Sequence, residues 1–163
     1  MKRNILLSII FILTVVSFAS CSFETDTIDG DGKIEGFWHM ERIDTLVTDS
    51  AGVSTVVATK DLSRELLFWS FQHKLLELSD KNLVYTNVLC RFTTEGGQLK
   101  IGDTFTSGYG TDSPNSDPAL LLPYGMSKMN ETLSYNVDGS KMTLTGKNIR
   151  IHLFDIIHKL NRI

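Results

Sequence analysis

From Ile34 to Leu153 the dominant period of the chain is two, clearest in the C-terminal third. Leu133, Tyr135 and Val137 alternate with polar neighbours, and Asp138-Gly139-Ser140 offers a turn. Met142 and Leu144 alternate next, Gly146-Lys147-Asn148 offers a second turn, and Ile149, Ile151 and Leu153 follow. Successive strand side chains point to opposite faces, so this pattern predicts an antiparallel meander with one face buried and one wetted. Upstream, Ile34, Trp38 and Met40 share one face of a first strand that also holds Gly36. Asp49-Ser50-Ala51-Gly52 turns the chain into Val53 to Thr59, rich in β-branched residues. Val84, Thr86, Val88, Cys90 and Phe92 alternate up to Glu95-Gly96-Gly97, and Leu99, Ile101 and Phe105 return.

Asp61 to Ser79 fits two templates. Leu62, Leu66 and Trp69 make a helical stripe capped by Asp61, whereas Leu67, Trp69 and Phe71 against Ser70 and Gln72 make strands. A break in parity near His73 then reads as a bulge, and the aromatic content and all-β surroundings favour the strand template. Pro114, Pro118 and Pro123 all fall between Ser107 and Met129, which marks the longest loop, because proline cannot donate to a strand ladder. Eight or nine short strands of this kind predict an all-β fold, an up-and-down antiparallel barrel of about eight strands, in which closure removes exposed edges.

The chain has 163 residues, 42% of them hydrophobic and 21% charged, with a net charge of −3. These values describe one domain able to bury a core, and they exclude both a disordered chain and a basic nucleic-acid footprint. The hydrophobic share is raised by the amino terminus. Met1-Lys2-Arg3-Asn4 is a short basic head, and Ile5 to Phe18 is almost unbroken in apolar character. That run is shorter than the roughly 20 residues that span a bilayer, and it fits the core of a secretory signal peptide over residues 1–20. Phe18-Ala19-Ser20-Cys21 resembles the lipobox of bacterial lipoproteins. The resemblance implies a lipidated Cys21, an anchor in the outer membrane of a cell envelope, and a membrane partner reached through that cysteine.

Residues 21–33 read as a flexible tether, small, acidic and glycine-containing. Their acids, Glu24, Asp26, Asp29 and Asp31, resemble signals that carry Bacteroidetes lipoproteins to the cell surface. Asp29-Gly30-Asp31-Gly32 looks like the middle of a calcium loop, but with Gly32 at the turn the twelfth position is Trp38, not the bidentate glutamate such a loop requires. With Cys21 lipidated, Cys90 has no disulfide partner and reads as a small core hydrophobe.

Gly36-Phe37-Trp38 matches the G-x-W signature of lipocalins. Phe68-Trp69-Ser70-Phe71-Gln72, Cys90-Arg91-Phe92, Leu122-Pro123-Tyr124-Gly125-Met126 and the Met142-Thr143-Leu144 meander resemble the lipocalin-like lipoproteins of Bacteroidetes. The resemblance covers most of residues 34–154 and implies a lipocalin-like domain over 34–163, with Gly36 and Trp38 closing one end of the barrel. Lipocalins also place an arginine of the last strand over that tryptophan; the candidate, Arg150, lies on the face opposite Ile149 and Ile151. A short helix is expected within the tail from Phe154 to Ile163.

Enzyme motifs are missing. His39, His73, His152 and His158 form no H-E-x-x-H pair, the cysteines make no zinc pair, and neither G-x-S-x-G nor S-x-x-K occurs. No metal and no cofactor are expected. Arg42 and Asp44 share parity with Trp38 and Met40 and so are expected at the barrel mouth, where polar groups would orient a ligand or pair with each other. Trp69, Tyr85, Arg91 and Tyr124 are the other candidate ligand contacts. The expected function is binding of a small apolar or amphipathic ligand by a non-enzymatic envelope protein. The alternative is a filled barrel whose loops contact a surface protein or a glycan-uptake component.

Overall fold

The computed structural model describes residues 33–106, 117–128 and 130–157. Cys21 and its lipobox, the tether before Lys33, Pro114 and the tail beyond Ile157 lie outside the described residues. The strands are β1 (Gly36–Thr48), β2 (Ser54–Asp61), β3 (Leu67–Gln72), β4 (Leu75–Asp80), β5 (Val88–Glu95), β6 (Gln98–Thr106), β7 (Thr132–Asp138), β8 (Lys141–Thr145) and β9 (Ile149–Asp155). They form one nine-stranded antiparallel sheet of order β2-β1-β3-β4-β5-β6-β7-β8-β9, and β1 also pairs with β9.

This corrects the expected closed up-and-down barrel of about eight strands. The sheet begins at β2, which pairs with β1 alone, from Arg42↔Asp61 to Thr48↔Ser54. Every residue of β2 is exposed, and its far side is a free edge of the sheet. The cause lies in the neighbouring elements. After Asp61 the chain leaves the ladder, and β3 takes over beside β1 only at Gly36–His39. Gly36 and Trp38 lie at the start of β1, where it pairs with β3, and Trp38 also pairs with Asp155 of β9.

The meander β7-β8-β9 forms as its alternation predicts. The strand template holds for most of the 61–79 stretch: β3 and β4 form a hairpin, and the parity break at His73 is its turn, with φ 54° at His73, in place of the expected bulge. Strand β5 starts at Val88, so the alternation of Val84 and Thr86 belongs to a loop. Within the proline-rich interval the chain forms a 3₁₀ segment, Pro118–Tyr124. Asp117 caps it by accepting the Ala119 N–H, Pro118 opens it, and Gly125 ends it at φ 86°. Those are a helix start and stop read in order, concealed because the segment is only two turns long.

One contiguous core occupies a single face of the sheet. It includes Trp38, Met40, Trp69, Phe71, Leu78, Cys90, Phe92, Ile101, Leu133, Met142, Leu144, Ile151 and Leu153. Leu121, Tyr124 and Met126, from the 3₁₀ segment and the residues after it, pack onto the same core. All of these lie between Ile34 and Leu153. Cys90 is buried among them, and burial pushes its thiol pKa up to about 12, which makes it an inert core residue.

Trp38 anchors the first turn of this arrangement. Its indole N–H donates to the Ile34 carbonyl at 2.8 Å, and its ring lies over Gly36, where an added Cβ would sit 3.3 Å from Nε1. Gly36 also has φ 141°, a conformation that other residues rarely adopt. Trp38→Ala is expected to cost about 3–5 kcal/mol, the range for truncating a buried large aromatic, as measured by chemical denaturation. A nearly neutral result would mean that Trp38 does not organise the start of β1.

Candidate functional site

Strand β1 carries an irregularity in its pairing with β9 between Met40 and Arg42. Below it Trp38 and Met40 face the core; above it Ile43, opposite Ile151, faces the core instead. An extra residue in one strand reverses which side chains face inward. Arg42 and Asp44, expected on the face of Trp38, are therefore turned to the other side of the sheet. There Asp44 is buried, with a side chain only 3% exposed. It accepts hydrogen bonds from Thr59 Oγ1 at 2.8 Å and Arg42 Nη2 at 3.1 Å, and its Oδ2 lies 2.8 Å from His152 Nε2. The same His152 nitrogen lies 2.9 Å from Arg42 Nη2, so it serves Asp44 as a donor or Arg42 as an acceptor according to its tautomer. Burial pushes the Asp44 carboxyl up, but the Thr59 and His152 hydrogen bonds and the Arg42 charge outweigh it, and its pKa falls below the usual value. This cluster fastens β1 to β2 and β9.

The other expected contacts are dispersed. Trp69 is fully buried in the core, and its indole N–H has no hydrogen-bond partner among the described residues. Tyr124 is fully buried too; its hydroxyl donates to the Thr86 carbonyl at 3.2 Å, and burial raises its pKa, with the Asp80 and Glu77 charges adding to the rise. Arg91 is exposed on β5 beside Thr93, Lys100 and Gly102. Tyr85 is half-exposed in the loop between β4 and β5. Arg42 and Asp44 form one cluster, while Trp69, Tyr85, Arg91 and Tyr124 do not join it. Arg150, opposite Asp44 on β9, is well away from Trp38, opposite Asp155.

The β4–β5 loop is ordered by one buried carboxylate. Asp80 accepts the N–H groups of Asn82, Val84 and Tyr85 at 2.8, 2.9 and 3.0 Å, and its own N–H donates to Asn87 Oδ1 at 3.1 Å. These bonds hold Leu83 at φ 59° and leave Leu83 and Val84 83% and 72% exposed. A well-bonded backbone here presents apolar side chains to solvent.

A pocket of about 480 Å³ opens at the same end of the sheet, where the 3₁₀ segment meets β1, β2 and the β8–β9 turn. Ile43, Leu122, Pro123, Met126 and Ile149 supply apolar surface, and Lys60, Lys128, Lys147 and Glu131 supply charge. Its volume lies within the range of small-molecule sites. None of the expected contact residues lines it. Gly125 makes its wall possible: it has φ 86°, and an added Cβ would sit 2.9 Å from Ile151 Cδ1. A Pro-Tyr-Gly after an apolar run was the available signal, but the strands that complete the pocket are remote in sequence. Among the described residues no group of three His, Cys, Asp or Glu side chains is placed to hold a metal.

Asp44→Asn is expected to destabilise the domain by about 1–3 kcal/mol at pH 7, the range for a charge-assisted buried hydrogen-bond set with a solvated partner. Because the folded-state pKa of Asp44 is lowered, the wild-type advantage is full well above 3.8, the ordinary value. It shrinks as the pH falls through 3.8 to the lower folded value. Denaturation midpoints of both proteins from pH 7 to pH 2.5 check this, and a constant difference would sink it.

No curated protein matches the chain. A solved lipocalin-like protein from Bacteroides uniformis aligns with a TM-score of 0.46 and 14% identity over 76% of this chain and 99% of that one. The sequence profile described as a lipocalin-like domain matches residues 15–154, most of the chain. Members of that family are non-catalytic binding and transport proteins. On this match the chain belongs to the lipocalin-like domain family and is not an enzyme.

Proposed function

We propose that this lipocalin-like domain binds a small apolar or amphipathic molecule in the pocket beside the 3₁₀ segment. One observation carries the reading: the core face of the sheet is filled by packed side chains, whereas the pocket at its end keeps apolar surface open to solvent. Leu122 is 59% exposed there, so a ligand that covers it gains hydrophobic contact without displacing a core residue. A lipid on Cys21 would hold the domain at the envelope membrane, with the acidic tether between anchor and core. Several acyl chains supply stable anchoring, since each buried CH₂ contributes about 0.8 kcal/mol.

A second reading rests on the β4–β5 loop. Leu83 and Val84 are held outward by the Asp80 bonds, which fits contact with another surface protein. Preorganisation of an exposed apolar loop lowers the ordering cost of such contact.

Residues 22–163 keep every described residue and are the material for the binding test. Titration with the uncharged dye Nile red is expected to show saturable binding. Leu122→Glu should weaken it roughly tenfold, in proportion to the lost apolar contact, with the melting temperature unchanged. Equal binding by the variant, or none by the wild type, would remove the pocket reading. If pull-down of a surface protein is then lost in Leu83→Ser, the loop reading takes its place. For the anchor, Cys21→Ala in the full chain is expected to abolish incorporation of a fatty-acid label while the domain stays folded. Persistent labelling would refute lipidation at that position.

A further inference from the structure

The charges around the pocket run against those of the chain. Overall there are 16 Lys and Arg against 19 Asp and Glu. The pocket is lined by Lys60, Lys128 and Lys147 and by a single acid, Glu131. The lysines come from the end of β2, the stretch after Gly125 and the β8–β9 turn, so no local repeat along one element brings them together. All three are exposed, and none forms an ion pair among the described residues. Glu131 is turned inward: it is 8% exposed, its Oε2 accepts the Ser127 N–H at 3.3 Å, and Oε1 lies against Gly146. Its charge leaves the rim with an excess of two positive groups. Beside them sit Leu122, Pro123 and Ile149, which an apolar chain can cover.

From this juxtaposition we infer that the ligand is a single-chain amphiphile with an anionic head, a carboxylate or a phosphate. The chain lies along Leu122, Pro123 and Ile149, and the head sits among Lys60, Lys128 and Lys147. The inference rests on the pocket reading above and adds the sign of the head group. Three solvated ammonium groups each contribute modestly, so discrimination comes from their sum and is sensitive to salt.

The test uses residues 22–163 and displacement of Nile red by dodecanoate, dodecyl phosphate and the uncharged glyceryl monododecanoate. At low ionic strength the two anions are expected to bind about tenfold more tightly than the ester, and most of that margin should disappear in 0.5 M salt, where the Debye length is a few ångströms. Lys60→Gln/Lys128→Gln/Lys147→Gln should bring the anions down to the affinity of the ester and leave the ester unchanged. The ester is the internal check that the variant is folded and its pocket intact. Equal wild-type affinities for anions and ester, or an undiminished preference in the triple variant, would overturn the inference while the pocket reading stands. Failure of all three amphiphiles to displace the dye would overturn both.

Discussion

The pairing of β1 with β9 is the constraint on which the rest of the structure depends. It joins Met40 to Leu153 and Ile43 to Ile151 across more than a hundred residues of sequence, and between those pairs the register shifts. The shift sends Ile43 inward and Asp44 outward. Inside, Ile43 and Ile151 form the surface against which Gly125 rests, at a distance that admits no side chain. That contact seats the 3₁₀ segment on the core and sets one wall of the pocket. On the other face, Asp44 gathers Thr59, Arg42 and His152, so that β2, β1 and β9 are fastened by one buried carboxylate. The two faces of the same short stretch thus supply the hydrophobic seat and the polar clasp.

Trp69, Phe71 and Phe92 pack together on the core face, with Phe71 and Phe92 edge to face at 5.2 Å between ring centres. Dense packing of this kind leaves little room for a guest without moving side chains. At the end of the sheet the 3₁₀ segment, the β4–β5 loop and the β8–β9 turn come together around the open pocket. Tyr124 links two of these elements through its bond to Thr86, and Asp80 orders the loop that carries Thr86.

The sequence by itself determined the strands and the core. Alternation identified β7, β8 and β9 with their turns, the aromatic run at Phe68–Phe71 identified β3, and Cys90 was legible as a core residue, because each of these depends only on which neighbours are apolar. The G-x-W pattern was legible for the same reason: Gly36 and Trp38 contact each other across two residues. What only the tertiary structure decided is how those strands meet. A one-residue irregularity in β1 leaves no mark in the hydrophobic pattern, yet it moved Arg42 and Asp44 to the opposite face. The pairing of β2 with β1 alone, which leaves β2 at a free edge of the sheet, was not legible either. Lys60, Lys128 and Lys147 read as ordinary surface lysines along the chain. Only strand pairings that span the whole sequence put them around one apolar hollow, and contacts between distant residues are set by packing, which no local window of sequence contains.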